Sequence, residues 1–60
     1  MKNYTVILMV TQFGTEYERI EVEYTVIAKD KDQAGFRAID AAAQDGHYVD
    51  EYELLHINEA

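Results

Sequence analysis

The sequence predicts an α+β fold: one ββαβ domain spanning residues 1–60, a three-stranded sheet with a single helix on one face. Three observations predict it. Two runs rich in β-branched and aromatic residues are followed by one alanine-rich segment of helical period. A third short apolar run closes the chain. At 60 residues there is room for a single small domain, and one of this size hides only about 60% of the surface its unfolded chain exposes.

The first strand is expected at Tyr4 to Thr11. Tyr4, Val6, Leu8 and Val10 share one face and Ile7 and Met9 the other. A strand apolar on both faces belongs in the middle of a sheet. The second is expected at Arg19 to Ala28, where Ile20, Val22, Tyr24 and Val26 alternate with Arg19, Glu21, Glu23 and Thr25. That pattern is a half-buried strand with one wet side. The polar stretch Gln12 to Glu18, with Gly14 inside it, reads as the connecting hairpin loop.

Asp30 can N-cap a helix, with Gln33 at the third helical position as a capping-box variant and Asp32 set favourably in the first turn. Ala34, Ala38, Ala41 and Ala42, with Ile39 and Ala43, form its apolar face, and Ile39 and Phe36 are expected to supply most of the bulk. Arg37, Asp40 and Gln44 lie opposite, and Gly46 terminates the helix as a C′ residue. Tyr52 to Ile57 reads as the third strand, followed by a polar tail, Asn58-Glu59-Ala60. Two sheet orders satisfy this connectivity, 2-1-3 and 3-2-1. The doubly apolar first strand favours 2-1-3.

One helix covers one face of such a sheet. Either Ile7 and Met9 or Val6 and Leu8 are then left bare, and Ile27 with Leu54 or Leu55 would extend the patch. Ile7, Met9 and Ile27 are accordingly expected to mediate self-association, giving a homodimer through open sheet faces or joined edge strands.

With 12 acidic against 5 basic side chains, the net charge is −7. That balance argues against direct binding of nucleic acid or of anionic membranes, both of which need Lys and Arg. The run Val6 to Val10 is too short for a secretion signal or for a membrane span, so a cytoplasmic location is expected. The absence of cysteine removes disulfides and thiolate metal sites.

Asp30-Lys31-Asp32-Gln33-Ala34-Gly35 has carboxylates at the first and third positions of a calcium loop, but Ala41 stands where the bidentate Glu belongs. The two histidines, His47 and His56, lack a spacing that gathers three or four ligands. No metal and no cofactor are expected. There is no Ser or Cys nucleophile, Thr5, Thr11, Thr15 and Thr25 have no adjacent histidine, and there is no phosphate loop; the chain is not expected to be an enzyme.

The acidic residues gather in two places. Glu16, Glu18, Glu21 and Glu23 lie on the hairpin, and Asp45, Asp50, Glu51 and Glu53 lie around the third strand. Glu21 and Glu23 face the same way, roughly 6–7 Å apart from the strand rise, close to the spacing of phosphates along a nucleic-acid strand. Such an array can imitate nucleic acid in a basic groove, with Tyr17, Tyr24, Tyr48 and Tyr52 as amphipathic anchors. The partner-binding set is therefore Glu16, Glu18, Glu21, Glu23, Asp50, Glu51, Glu53, Tyr17 and Tyr52. For most of these charges taken singly, an ordinary solvated face that keeps the protein soluble and its edge strands apart is the favoured reading.

The segment Val26-Ile27-Ala28-Lys29-Asp30-Lys31-Asp32-Gln33-Ala34 through Ala38 resembles a pattern of very small phage- and plasmid-encoded proteins. In these a strand ends in Ala, a capped helix with inner alanines follows, and a last strand closes a ββαβ sheet. The chain is also similar in scale and charge to phage-encoded inhibitors of host defence, anti-CRISPR proteins among them. The resemblance implies a non-catalytic viral or mobile-element protein that inhibits or modulates a host protein in the host cytoplasm. It carries over no functional residues. A structural homo-oligomerisation module is the alternative.

Overall fold

The structure, a computed structural model, describes residues 1–12 and 18–60. The elements run β1 (Lys2–Gln12), β2 (Glu18–Ala28), α1 (Lys31–Gln44) and β3 (Tyr48–Glu59). The turn expected around Gly14 falls outside the described residues. The sheet order is β2-β1-β3, with β1 antiparallel to both neighbours. The doubly apolar strand is thus the central one.

The helix settles which face of β1 is buried. Tyr4, Val6, Leu8 and Val10 pack against Ala34, Ala38 and Ala42, with Ala28 at the end of β2. Ile20, Val22, Tyr24 and Val26 of β2 and Ile57 of β3 complete this layer as half-buried neighbours. Small residues on α1 let its backbone approach the sheet, and the bulk of the core comes from β1.

Phe36 does not contribute to that core as expected; it is 68% exposed. The buried residues of α1 are Ala34, Gly35, Ala38 and Ala42, so the contact stripe runs through Gly35 and turns Phe36 outward. Ala41 is half-buried and Ala43 exposed, again narrower than the expected apolar face. A Cβ on Gly35 would sit 3.3 Å from Leu54 Cδ1 and 3.5 Å from Ile57 Cδ1, so at this point the helix touches β3.

Both helix ends follow the residues expected of them. Asp30 Oδ1 accepts from the Gln33 amide at 2.8 Å. Gln33 Oε1 reaches back to the Lys29 amide at 2.8 Å, one residue before the donor of a standard capping box. At the other end Gly46 adopts φ 90°, the left-handed conformation that glycine takes without strain. The Gly46 amide donates to the Ala43 carbonyl and the His47 amide to the Ala42 carbonyl, which makes a Schellman closure.

The third strand is longer than Tyr52 to Ile57. It takes in Tyr48 to Glu51 as well as Asn58 and Glu59, which were expected to be tail. Tyr48, Asn58 and Glu59 have partners on β1 in Thr11, Thr5 and Tyr4, and Val49 packs against the core. Lys2 and Glu59 hold the far end with a 3.7 Å ion pair, and the Ala60 amide donates to the Asn3 carbonyl at 2.8 Å.

Two further contacts tie the helix segment to β2. An Arg37 guanidinium nitrogen donates to the Ile27 carbonyl. The Tyr24 hydroxyl donates to Asp45 Oδ2 at 2.7 Å. Burial first, then the hydrogen bond and the charge of Asp45, push the Tyr24 phenol up from 10.0 to about 12.

Two outcomes are expected from this packing. Gly35→Leu should lose about 1–3 kcal/mol in denaturant unfolding, because the added side chain overfills the contact with Leu54 and Ile57. Gly35→Ala should be near neutral, its helix-propensity gain of about 1 kcal/mol offset by that crowding. For Tyr24 the folded state favours the neutral phenol. Its contribution is therefore complete below pH 10.0 and is lost as pH rises through about 12. Tyr24→Phe should cost about 1 kcal/mol at neutral pH and flatten the alkaline fall of a melting-temperature profile.

Candidate interaction surfaces

Residues directly opposite each other in an antiparallel pair share a face. The face of the sheet away from α1 can therefore be read from the register. Ile7 stands between Glu23 on β2 and His56 on β3, and Met9 stands between Glu21 and Glu53. Thr5 has Thr25 and Asn58 beside it, and Asn3 has Ile27. Ile7 and Met9 are half-buried by their neighbours, whereas Glu21, Glu23, Glu53 and His56 are exposed and Ile27 is 55% exposed. The result is a short apolar strip flanked on both sides by carboxylates.

At one end this face is closed over. The Arg19 guanidinium reaches across to the Glu51 carbonyl at 3.3 Å, and Thr11, which pairs with Arg19, is only 7% exposed. Glu51 is positioned by its backbone there, with its own side chain exposed.

The second surface lies on the helix side. α1 and β3 leave a groove of about 350 Å³ between them, lined by Gly35, Phe36, Ile39, Tyr52, Leu54 and Ile57. Lys31 and Asp32 supply its charged residues, and neither histidine lines it. Exposed apolar side chains line it, Tyr52 and Leu54 on β3 and Phe36 on the helix, and exposed Leu55 follows Leu54 along the strand. Leu54 faces the groove because it stands opposite Leu8, while Ile57 does so opposite Val6. Three steps along β3 thus match two along β1, and Leu55 is a bulge residue with no partner on β1.

The expected partner-binding residues are divided by this geometry. Glu21, Glu23 and Glu53 share the open face. Tyr52 lines the groove on the opposite side of the sheet, Glu18 is exposed at the start of β2, and Asp50 is exposed near the start of β3. Glu16 and Tyr17 fall outside the described residues. Tyr24, expected as an anchor, is half-buried under the helix end with its hydroxyl committed to Asp45. The groove itself was not foreseen. Its signal was Gly35, a glycine inside an alanine stripe, which marks where a neighbouring strand comes close.

Among the described residues no group of three or more His, Cys, Asp or Glu could hold a metal ion, and no helix is long and apolar enough to cross a membrane. Comparison with protein-family models, with curated proteins and with solved structures returned no match.

The two faces of β1 should respond oppositely to charge. Leu8→Lys buries an ammonium under α1 and should cost several kcal/mol, enough to unfold so small a domain. Met9→Lys sets its ammonium between Glu21 and Glu53 and should change unfolding free energy by no more than about 1 kcal/mol. Thermal melts of the two variants check this directly.

Proposed function

We propose that the protein is a non-catalytic interaction module whose open sheet face takes a basic, partly apolar element of a partner protein, and that it acts by occupying that element. The observation that carries the proposal is the pairing of Ile7 and Met9 with Glu21, Glu23 and Glu53 on one solvated face. An apolar centre excludes water and holds a partner, while a rim of one charge steers its approach and selects its sign. The chain's excess of 12 acidic over 5 basic residues acts in the same direction at longer range.

Glu21 and Glu23, roughly 6–7 Å apart along β2, present charges at a spacing suited to a surface that holds a phosphate backbone. The partner in this reading is a host protein with a nucleic-acid-binding groove, and the protein is an inhibitor or modulator of it in the host cytoplasm. The resemblance to small phage- and plasmid-encoded proteins supports a host target, with CRISPR effectors among those to be tried.

A second reading is self-association as the main role. The exposed Tyr52, Leu54, Leu55 and Phe36 along one edge favour it, since large apolar side chains gathered in one place mark contact surfaces. The two readings use different parts of the molecule and can both hold.

The test of the first is retention of basic nucleic-acid-binding proteins, CRISPR effectors included, on the immobilised chain at low and high salt. A partner retained at low salt should be released as salt rises. The double variant Glu21→Lys/Glu23→Lys should bind it about 10–100-fold more weakly while keeping the wild-type circular dichroism spectrum. Retention of no basic partner, or unchanged binding by the charge-reversed chain, sinks the proposal.

A further inference from the structure

We propose that a second copy of this chain pairs with the free edge of β3, antiparallel, about a two-fold axis that falls between Leu54 and Leu55. This rests on the self-association reading and gives it a geometry.

The backbone polarity of the edge can be followed from its far end. The Ala60 amide donates to the Asn3 carbonyl, and residues of an antiparallel strand alternate between bonding inward and pointing away. Asn58 and His56, opposite Thr5 and Ile7, bond inward; Ile57 and Glu59 therefore point their amides and carbonyls to the open edge. Beyond the bulge the alternation along β1 returns Leu54, opposite Leu8, to an outward position and Glu53, opposite Met9, to an inward one, and a second register shift between Glu53 and Tyr48 ends the regular alternation there.

Two register shifts decide what can pair here: the bulge at Leu55, and the shift between Glu53 and Tyr48, which limits the matched stretch to residues 52–57. Across Leu54-Leu55-His56 the strand spends one residue more than a regular partner would. A straight strand added to this edge would therefore match side-chain faces on one side of the bulge and mismatch them on the other. A second copy running antiparallel brings its own extra residue to the same place. Tyr52 then stands opposite Ile57 of the second copy, each of them lining the helix-side groove of its own copy. Glu53 stands opposite His56 of the second copy, both on the open side. Leu54 meets Leu55 at the axis. Over residues 52–57 a bulge that blunts the edge against other strands thus leaves it open to its own sequence.

Charge favours the same arrangement. In this register each Glu53 carboxylate lies beside an imidazole, at two symmetric places. Stacking two open faces would instead press Glu21, Glu23 and Glu53 of one copy against those of the other around an apolar centre, where like charges lose solvent. Edge pairing also brings Phe36 (68% exposed) and Tyr52 (46% exposed) of both copies to a common seam, extending each groove into the next. The acidic strip of each copy stays uncovered.

The experiment is sedimentation equilibrium of the whole chain, combined with oxidative cross-linking of the Glu53→Cys variant mixed with the His56→Cys variant. The wild-type chain should sediment as a dimer. The mixture should give covalent dimer about ten-fold faster than either variant alone, since only the mixed pair lies within disulfide reach. Leu55→Lys, at an exposed position with no partner on β1, should weaken the dimer about ten-fold with its circular dichroism spectrum unchanged. A monomer at every concentration overturns both this proposal and the self-association reading. A dimer that gives no preferential mixed cross-link overturns the edge pairing alone; should Leu55→Lys fail to fold, the cross-link decides.

Discussion

The structure depends on one contact: three alanines of α1, Ala34, Ala38 and Ala42, packed on the even-numbered face of β1, with Gly35 beside them against Leu54 and Ile57 of β3. Without Cβ branches or long side chains on that stripe, the helix axis comes close enough for Tyr4, Val6, Leu8 and Val10 to be almost wholly buried by a single layer. Everything else follows from the position of that stripe. It chooses the buried face of β1, leaves Ile7 and Met9 to the solvent side, and rotates Phe36 away from the core into the groove beside β3. A stripe shifted by one residue would have buried Phe36 and forced the helix off the sheet.

Much of this was legible in the chain. The alternation of Arg19 to Ala28, the doubly apolar run Tyr4 to Thr11 and the punctuation of the helix by Asp30 and Gly46 determined the element order, and the central place of β1 followed from its lack of a polar face. The extent of β3 was not legible, because Asn58 and Glu59 pair with β1 through backbone groups that carry no hydropathy signal, and Tyr48 meets Thr11 only past a register shift. The role of Phe36 was misjudged for a different reason. An apolar residue at the margin of a helical stripe turns in or out according to whether its neighbour Gly35 is the point of closest approach, and periodicity alone does not say so.

The candidate surfaces divide in the same way. That Glu21 and Glu23 share a solvated face was legible from strand period, and that Ile7 or its neighbours would be left bare followed from having one helix for two faces. That Glu53 and His56 join them depends on the register between β1 and β3, which passes through a bulge at Leu55. No pattern in Tyr52 to Ile57 announces that bulge, so Tyr52 was grouped with the acidic residues although it stands on the other side of the sheet. The sheet therefore has two candidate surfaces, an acidic strip with an apolar centre and an apolar edge with a groove, separated by the thickness of one strand layer.

The central claim is that the helix protects only the even face of β1 and that Ile7 and Met9 on the odd face meet solvent. Methyl-resolved nuclear magnetic resonance with a soluble paramagnetic agent measures this most directly. The account predicts strong broadening of the Met9 and Ile7 methyl signals and protection of those of Leu8, Val6 and Ala38. Protection of Met9 and Ile7 alongside Leu8, or broadening of Leu8 and Ala38, would contradict it.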